Sequence, residues 1–211
     1  MKNKLLRKAI VITGCLILSI NSYAQNWDIN TLRSINPQNP HSFIMRGLTS
    51  SSYPVGAAVP LVQLVTGYIA KDQKLQRKGW ETAGSLAVTV IVAEGLKYAI
   101  NRQRPYEKYP GVVFPYDASE HGQSFPSGHA SIAFATATTL TLEYRKWYVA
   151  APAYLLATAV GYSRLYMGEH YPTDVIGGAA VGAASAVLSH WLTNKLFKFR
   201  PPEAVRYIEN K

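Results

Sequence analysis

Lys97, Arg104, Arg164, His129, His170 and Asp174 are the residues of this chain best suited by type and spacing to do chemistry. They fall in three short blocks: Lys97 with Arg104-Pro105, then Pro126-Ser127-Gly128-His129, then Ser163-Arg164 with His170 and Asp174. Three permanent cations can hold the oxygens of a phosphate. Two histidines and a carboxylate can supply a nucleophile, a proton donor and a group that orients the nucleophile. Each block alone has an ordinary explanation: a solvated basic cluster that includes Arg102, a capped helix with a surface histidine, or a His-Asp pair closing a helix. Their joint occurrence is what points to a phosphate site.

The elements that must carry these residues follow from local patterns. Lys97 and Arg104 are seven residues apart, close to two helical turns, so they are expected on one helical face that Pro105 ends. Lys97 lies inside the apolar run Thr82 to Ile100, beside Glu94, and an ionisable group in such a run points to function. Ser127 is expected to N-cap a helix that opens into an apolar run. The first amides of that helix have no internal partner and favour an anion, while Gly128 lets a ligand come close. His129 then sits in the first turn, placed to hand a proton to a leaving oxygen. Pro172 is expected to start the last helix, with His170 just before it and Asp174 in its first turn.

At 211 residues the chain is the size of one domain. Its 22 basic and 12 acidic residues give a net charge of +10, which suits a membrane surface or a phosphorylated substrate. Nucleic acid is disfavoured, because no basic stripe interleaves with aromatics and no binding signature is visible. Residues 1–24 read as a signal peptide or N-terminal anchor: Lys2, Lys4, Arg7 and Lys8, then the apolar Ala9 to Ile20, then Ser22-Tyr23-Ala24. Cys15 is the sole cysteine, so cleavage would leave no thiol for a disulfide or a thiolate metal site. Residues 25–211 read as a single domain with its core at 54–197.

Asn26 to Tyr53 is polar and mixes short helix with loop. Five apolar segments follow: Pro54 to Ala70, Thr82 to Ile100, His129 to Leu142, Trp147 to Tyr166 and Val175 to Phe197. The mean hydropathy of −0.03 is low for a membrane chain. Loop charge favours a membrane bundle. If each segment crosses once, Lys71, Lys74, Arg77 and Lys78 share one side with Arg145-Lys146 and with Lys195, Lys198, Arg200 and Arg206. That side is the inside by the positive-inside rule, and all three blocks fall outside. Trp80, Trp147, Trp191, Tyr144 and Tyr148 sit near span ends, as interfacial aromatics do. The alternative is an exported soluble helical domain.

The segments KYAINRQRP, PSGH and SRLYMGEHYPTD resemble the signature of the type 2 phosphatidic acid phosphatase superfamily. The resemblance runs from roughly Pro54 to Phe197. It implies an all-α membrane helical bundle of five to six helices, with the site at the periplasmic helix ends. It implies that His170 attacks phosphorus, that Asp174 orients it, and that His129 protonates the leaving oxygen and then activates water. Lys97, Arg104, Arg164, the Ser127 hydroxyl and the Gly128 amide would hold the phosphate. No metal, no cofactor and no obligate protein partner are implied. The implied substrate is an envelope lipid phosphate of lipid A, undecaprenyl diphosphate or phosphatidylglycerol phosphate type, met at the bacterial inner membrane. The same family contains soluble periplasmic acid phosphatases, which stand as the alternative, and vanadate haloperoxidases, for which the chain is short. The loop from Tyr106 to Ser124 should shape access, with Lys108, Asp117, Glu120 and His121 as possible headgroup contacts.

Overall fold

The computed structural model describes residues 27–196. The expected signal segment at 1–24 and the basic residues Lys198, Arg200 and Arg206 lie outside them. A short helix, α1 (27–35), precedes α2 (Phe43–Ile69) and α3 (Gln73–Ile100). A single helical turn, α4 (Pro105–Lys108), opens the loop that leads to α5 (Gly128–Tyr144). The chain then forms α6 (Trp147–Tyr166) and α7 (Pro172–Leu196). Among the described residues there is no strand.

Three expected boundaries move. The first long helix begins at Phe43 rather than Pro54 and carries Pro54 and Pro60 inside it. Its polar start reads as loop in the sequence, but Thr49 and Ser52 are buried against the bundle, where hydroxyls find partners. Helix α3 begins at Gln73, where the Asp72 carboxylate accepts from the Lys74 and Leu75 amides at 2.9 and 3.2 Å. That helix also stops early. Asn101 takes a left-handed conformation (φ 47°) and closes it, so Arg104 is not on the helical face of Lys97, and Pro105 starts α4 instead of stopping α3.

Helix α5 is central and packs against α2, α3, α6 and α7. Its approach to α7 is close enough that a Cβ on Gly178 would stand 2.6 Å from the Ser127 carbonyl oxygen. The interior is lined with small and hydroxylic residues. Thr89, Ser131 and Thr136 are buried and bond carbonyls of their own helices at 2.8, 2.9 and 2.9 Å, which satisfies polar groups away from water. The large apolar residues face outward instead: Ile91, Leu155, Ile176 and Val187 are exposed. Small residues inward and large ones outward is how helices pack in lipid, and it explains the modest mean hydropathy. Two helices among the described residues, those that begin at Gln73 and at Pro172, are long and apolar enough to cross a membrane.

The bundle has two distinct ends. One gathers the ends of α3 and α6 and the starts of α2, α5 and α7. Over it lies an apolar cluster of Leu32, Tyr106, Val113, Leu165 and Tyr171. The opposite end carries the basic loops: Arg77 bonds Asn194 across to α7 at 2.6 Å, and the Lys78 ammonium lies 3.7 Å from the Tyr144 ring centroid. Trp80, Trp147, Trp191 and Tyr148 are all exposed near this basic end.

Candidate active site

The third block supplies the buried centre. Arg164 lies in the last turn of α6, His170 in the turn that follows, and Asp174 in the first turn of α7. All three are almost fully buried. The Asp174 carboxylate faces the imidazole, with 3.6 Å between Oδ2 and Nδ1 of His170. That is longer than a hydrogen bond, and Nδ1 has no closer partner among the described residues. Asp174 itself is held firmly. It accepts from Arg102 at 2.6 Å, from the Tyr171 amide at 2.9 Å, and from the Ser124 hydroxyl. Burial pushes the His170 imidazole down to about 4, aided by the Arg164 charge and resisted by Asp174. The ring is therefore neutral near pH 7 and has a free lone pair.

The second block closes on the third. The Ser127 amide donates to the Asp174 carbonyl at 3.0 Å, which ties the start of α5 to the start of α7. Ser127 does occupy the cap position, but its hydroxyl makes no capping bond. That oxygen is buried with no protein partner among the described residues, so it remains available to a ligand. A Cβ on Gly128 would stand 2.9 Å from the Tyr53 hydroxyl and 3.8 Å from the Lys97 ammonium. Glycine thus keeps open a space flanked by a phenol and a cation. The His129 ring packs edge-on to Tyr53, with centroids 4.7 Å apart.

The first block joins through two different routes. Lys97, in the last turn of α3, is paired with Glu94 at 2.9 Å on the side of Gly128. Arg104 leaves the chain after α3 and reaches Glu169 at 3.1 Å and Glu120 at 3.1 Å. Arg164 donates to both oxygens of the same Glu120, at 3.1 and 3.0 Å. The two guanidiniums therefore converge on one oxyanion position. Burial alone would raise the Glu120 carboxyl, but Arg164 and Arg104 outweigh it and hold the group down to about 2. Glu169 is pushed up to about 7, by burial first and then by the charge of Glu120. The Nε atoms of Arg104 and Arg164 are buried without partners among the described residues.

Several participants were not legible beforehand. Arg102, read as part of a basic cluster, bridges Asp174 to Asp28 at 2.6 and 2.7 Å and stacks on Tyr171 at 3.9 Å. Asp28 in α1 carried no sequence signal at all. Asn36 clamps the access loop, bonding both backbone groups of Phe114 and the Tyr166 carbonyl at 2.8 to 2.9 Å. Of the four loop residues offered as headgroup contacts, only Glu120 turns into the site. Lys108, Asp117 and His121 are exposed on the loop surface.

Known proteins resemble this chain in sequence and in fold. A lipid A 1-phosphatase from Porphyromonas gingivalis is 40% identical over 160 residues, covering 72% of this chain and 33% of that protein. An undecaprenyl-diphosphatase from Sulfolobus acidocaldarius is 30% identical over 125 residues, covering 59% of this chain and 60% of that one. The chain thus spans about a third to three-fifths of the length of these relatives. The crystal structure of Aquifex aeolicus LpxE superposes with a TM-score of 0.62 at 27% identity, covering 78% of this chain and 94% of that one. A Bacillus subtilis phosphatidylglycerolphosphate phosphatase superposes with a TM-score of 0.67 at 24% identity, covering 88% and 94%, and at that identity it speaks for the fold alone. The profile of the PAP2 superfamily matches residues 78–198, a stretch that contains all three blocks. With its blocks gathered at one end of an all-helical bundle and more than half its length matched, this chain belongs to the PAP2 superfamily.

Proposed function

We propose that this protein is a membrane phosphatase that removes a phosphate from an envelope lipid through a phosphohistidine on His170. The observation that carries this reading is the convergence of Arg104 and Arg164 on a single oxyanion position, the Glu120 carboxylate. A phosphoryl group in that position would meet two planar donors, the free Ser127 hydroxyl and the Lys97 side of Gly128.

The geometry supports the following chemistry. His170 turns Nδ1 to Asp174, which leaves Nε2 as the nucleophile. The Nε2–P bond forms as the bond from phosphorus to the lipid oxygen breaks. Charge spreads over the phosphoryl oxygens, where the cations stabilise it. His129 gives its proton to the leaving oxygen. It then takes a proton from water, which attacks phosphorus and releases His170 and inorganic phosphate. Asp174 stabilises the imidazolium character that His170 gains.

Support for a lipid substrate comes from the exposed apolar faces and from the activities of the relatives. Similarity at 40% to a lipid A 1-phosphatase favours a lipid A phosphate over the other lipids. With the basic end in the cytoplasm, the site opens to the periplasm from the inner membrane. A soluble periplasmic acid phosphatase is the rival. Carbonate extraction that releases the protein into solution would favour the rival. Purified protein in detergent should release phosphate from phosphorylated lipid without added metal, and His170→Ala should abolish release. Turnover retained in that variant would overturn the mechanism.

A further inference from the structure

The end of the bundle opposite the site contains a second polar structure that phosphatase chemistry does not use. A cavity of about 430 Å³ lies between the start of α3, the end of α5 and the end of α7. Four cations line it: Lys74, Arg77, Lys78 and Arg145. Two carboxylates also line it, yet both are occupied inward. Glu81, 5% exposed, pairs with His190 Nδ1, while Glu143 accepts from Gln63 at 2.6 Å and from Thr82 at 2.8 Å. Among the described residues none of the four cations has a carboxylate partner. Arg77 donates to Asn194 and Lys78 lies over the Tyr144 ring, but neither contact neutralises a charge, and cations without a carboxylate partner around a cavity attract an outside anion.

Beside this cup runs an apolar groove of about 500 Å³ on α7, lined by Ala183, Ala184, Val187, Leu188 and Trp191. His190 and Asn194 line the cup, so Trp191 lies on the helical turn where cup and groove meet. Lys195 covers that ring, its ammonium 4.7 Å from the centroid. The exposed Trp80, Trp147 and Trp191 mark the depth at which lipid headgroups lie. A cationic cup at headgroup depth and an apolar groove on the adjoining helical face match the two halves of one phospholipid.

We propose that cup and groove form a binding site for an anionic phospholipid of the leaflet opposite the active site, headgroup in the cup and acyl chain along α7. Basic pockets between helices on the cytoplasmic side hold anionic headgroups by this means. The three helices that form the cup also bear the catalytic blocks at or just beyond their other ends: α3 runs to Lys97, α5 starts beside His129, and α7 starts at Pro172. A lipid joining them therefore braces the scaffold of the site. This inference does not depend on the phosphatase reading.

The test is thermal unfolding of the full chain in detergent, in the His170→Ala background. Probes are dimyristoyl phosphatidylglycerol, dimyristoyl phosphatidylcholine and inorganic phosphate. Phosphatidylglycerol is a phosphodiester, so it is no substrate for phosphomonoester chemistry. The expected result is a rise in Tm of about 3 °C or more with phosphatidylglycerol alone. Arg77→Ala with Arg145→Ala should remove most of that rise. Ala184→Phe, which fills the groove from an exposed position, should also remove it, and it serves as the test if the arginine variant does not fold. An equal rise with phosphatidylcholine overturns the proposal, as does an equal rise with inorganic phosphate. A full rise retained in a folded variant overturns it too.

Discussion

Arg164 donates to both carboxylate oxygens of Glu120, at 3.1 and 3.0 Å, from a guanidinium proposed to hold a substrate phosphate. A loop carboxylate thus occupies the oxyanion position, and Arg104 shares it at 3.1 Å. Glu120 is tethered there by its own backbone, whose carbonyl accepts from the Tyr106 hydroxyl. On the proposed reading, a substrate phosphate displaces the side chain but not the loop.

Glu120→Gln should therefore strengthen binding of inorganic phosphate. The side chain is about a third exposed, so its ion pairs are screened and the competition is modest. About 1 kcal/mol corresponds to roughly a fivefold fall in the inhibition constant. Product-inhibition kinetics read this directly, and a rise in the constant would mean that Glu120 positions the arginines rather than competing for them.

Ser127→Ala separates binding from folding. The hydroxyl is buried without a protein partner among the described residues, so removing it should leave stability unchanged or raise it by about 1 kcal/mol. Activity should move the other way, with kcat/KM down by about tenfold from the loss of one hydrogen bond to a charged phosphoryl group. Parallel losses in Tm and activity would assign the hydroxyl a structural role.

Arg102→Leu should destabilise the fold by about 3–5 kcal/mol, because it strands the carboxylates of Asp174 and Asp28, which are 0% and 2% exposed. Arg102→Lys should recover only part of this, since a single ammonium lacks the fork that reaches both acids. Thermal unfolding measures the loss. The lysine variant should also show reduced kcat, as Asp174 loses its fixed position against His170.

The pH profile should show a low acid limb. In the proposed mechanism the neutral imidazole is the reactive form of His170, and burial depresses its pKa from the ordinary 6.5 to about 4. Activity is therefore retained as pH falls through 6.5 and lost as it falls through about 4. With substrate ionisation and the protonation of the donor His129 divided out, kcat/KM should be level from about pH 7 to 5. The same depression gives a stability sign. The unfolded imidazole binds a proton between about 6.5 and 4 where the folded one does not, so stability falls across that window as pH falls.

Much of the helical frame was legible because long apolar segments reveal themselves by length. The segment expected at Trp147 to Tyr166 matches α6 end to end. Basic residues at Lys74, Arg77, Lys78 and Arg145 foretold which end of the bundle opposes the site. Boundaries failed where polar residues continue a helix, as at Thr49 and Ser52 in α2, because burial of a hydroxyl depends on neighbours far away in the chain.

By itself the sequence determined the chemistry on offer. The residue types at Lys97, Arg104, Ser127, His129, Arg164, His170 and Asp174, with their internal gaps, specify cations, imidazoles and a carboxylate near helix ends. Spacing along a helix is a local property, so these could be read one block at a time. Only the tertiary structure decided which groups meet. It brought Glu120 between Arg104 and Arg164, turned the Ser127 hydroxyl free, and drew Asp28 from α1 to Arg102. Those contacts join residues from 16 to 74 positions apart, and no local pattern encodes them. They arise because buried charges must find partners wherever the packed helices bring them together.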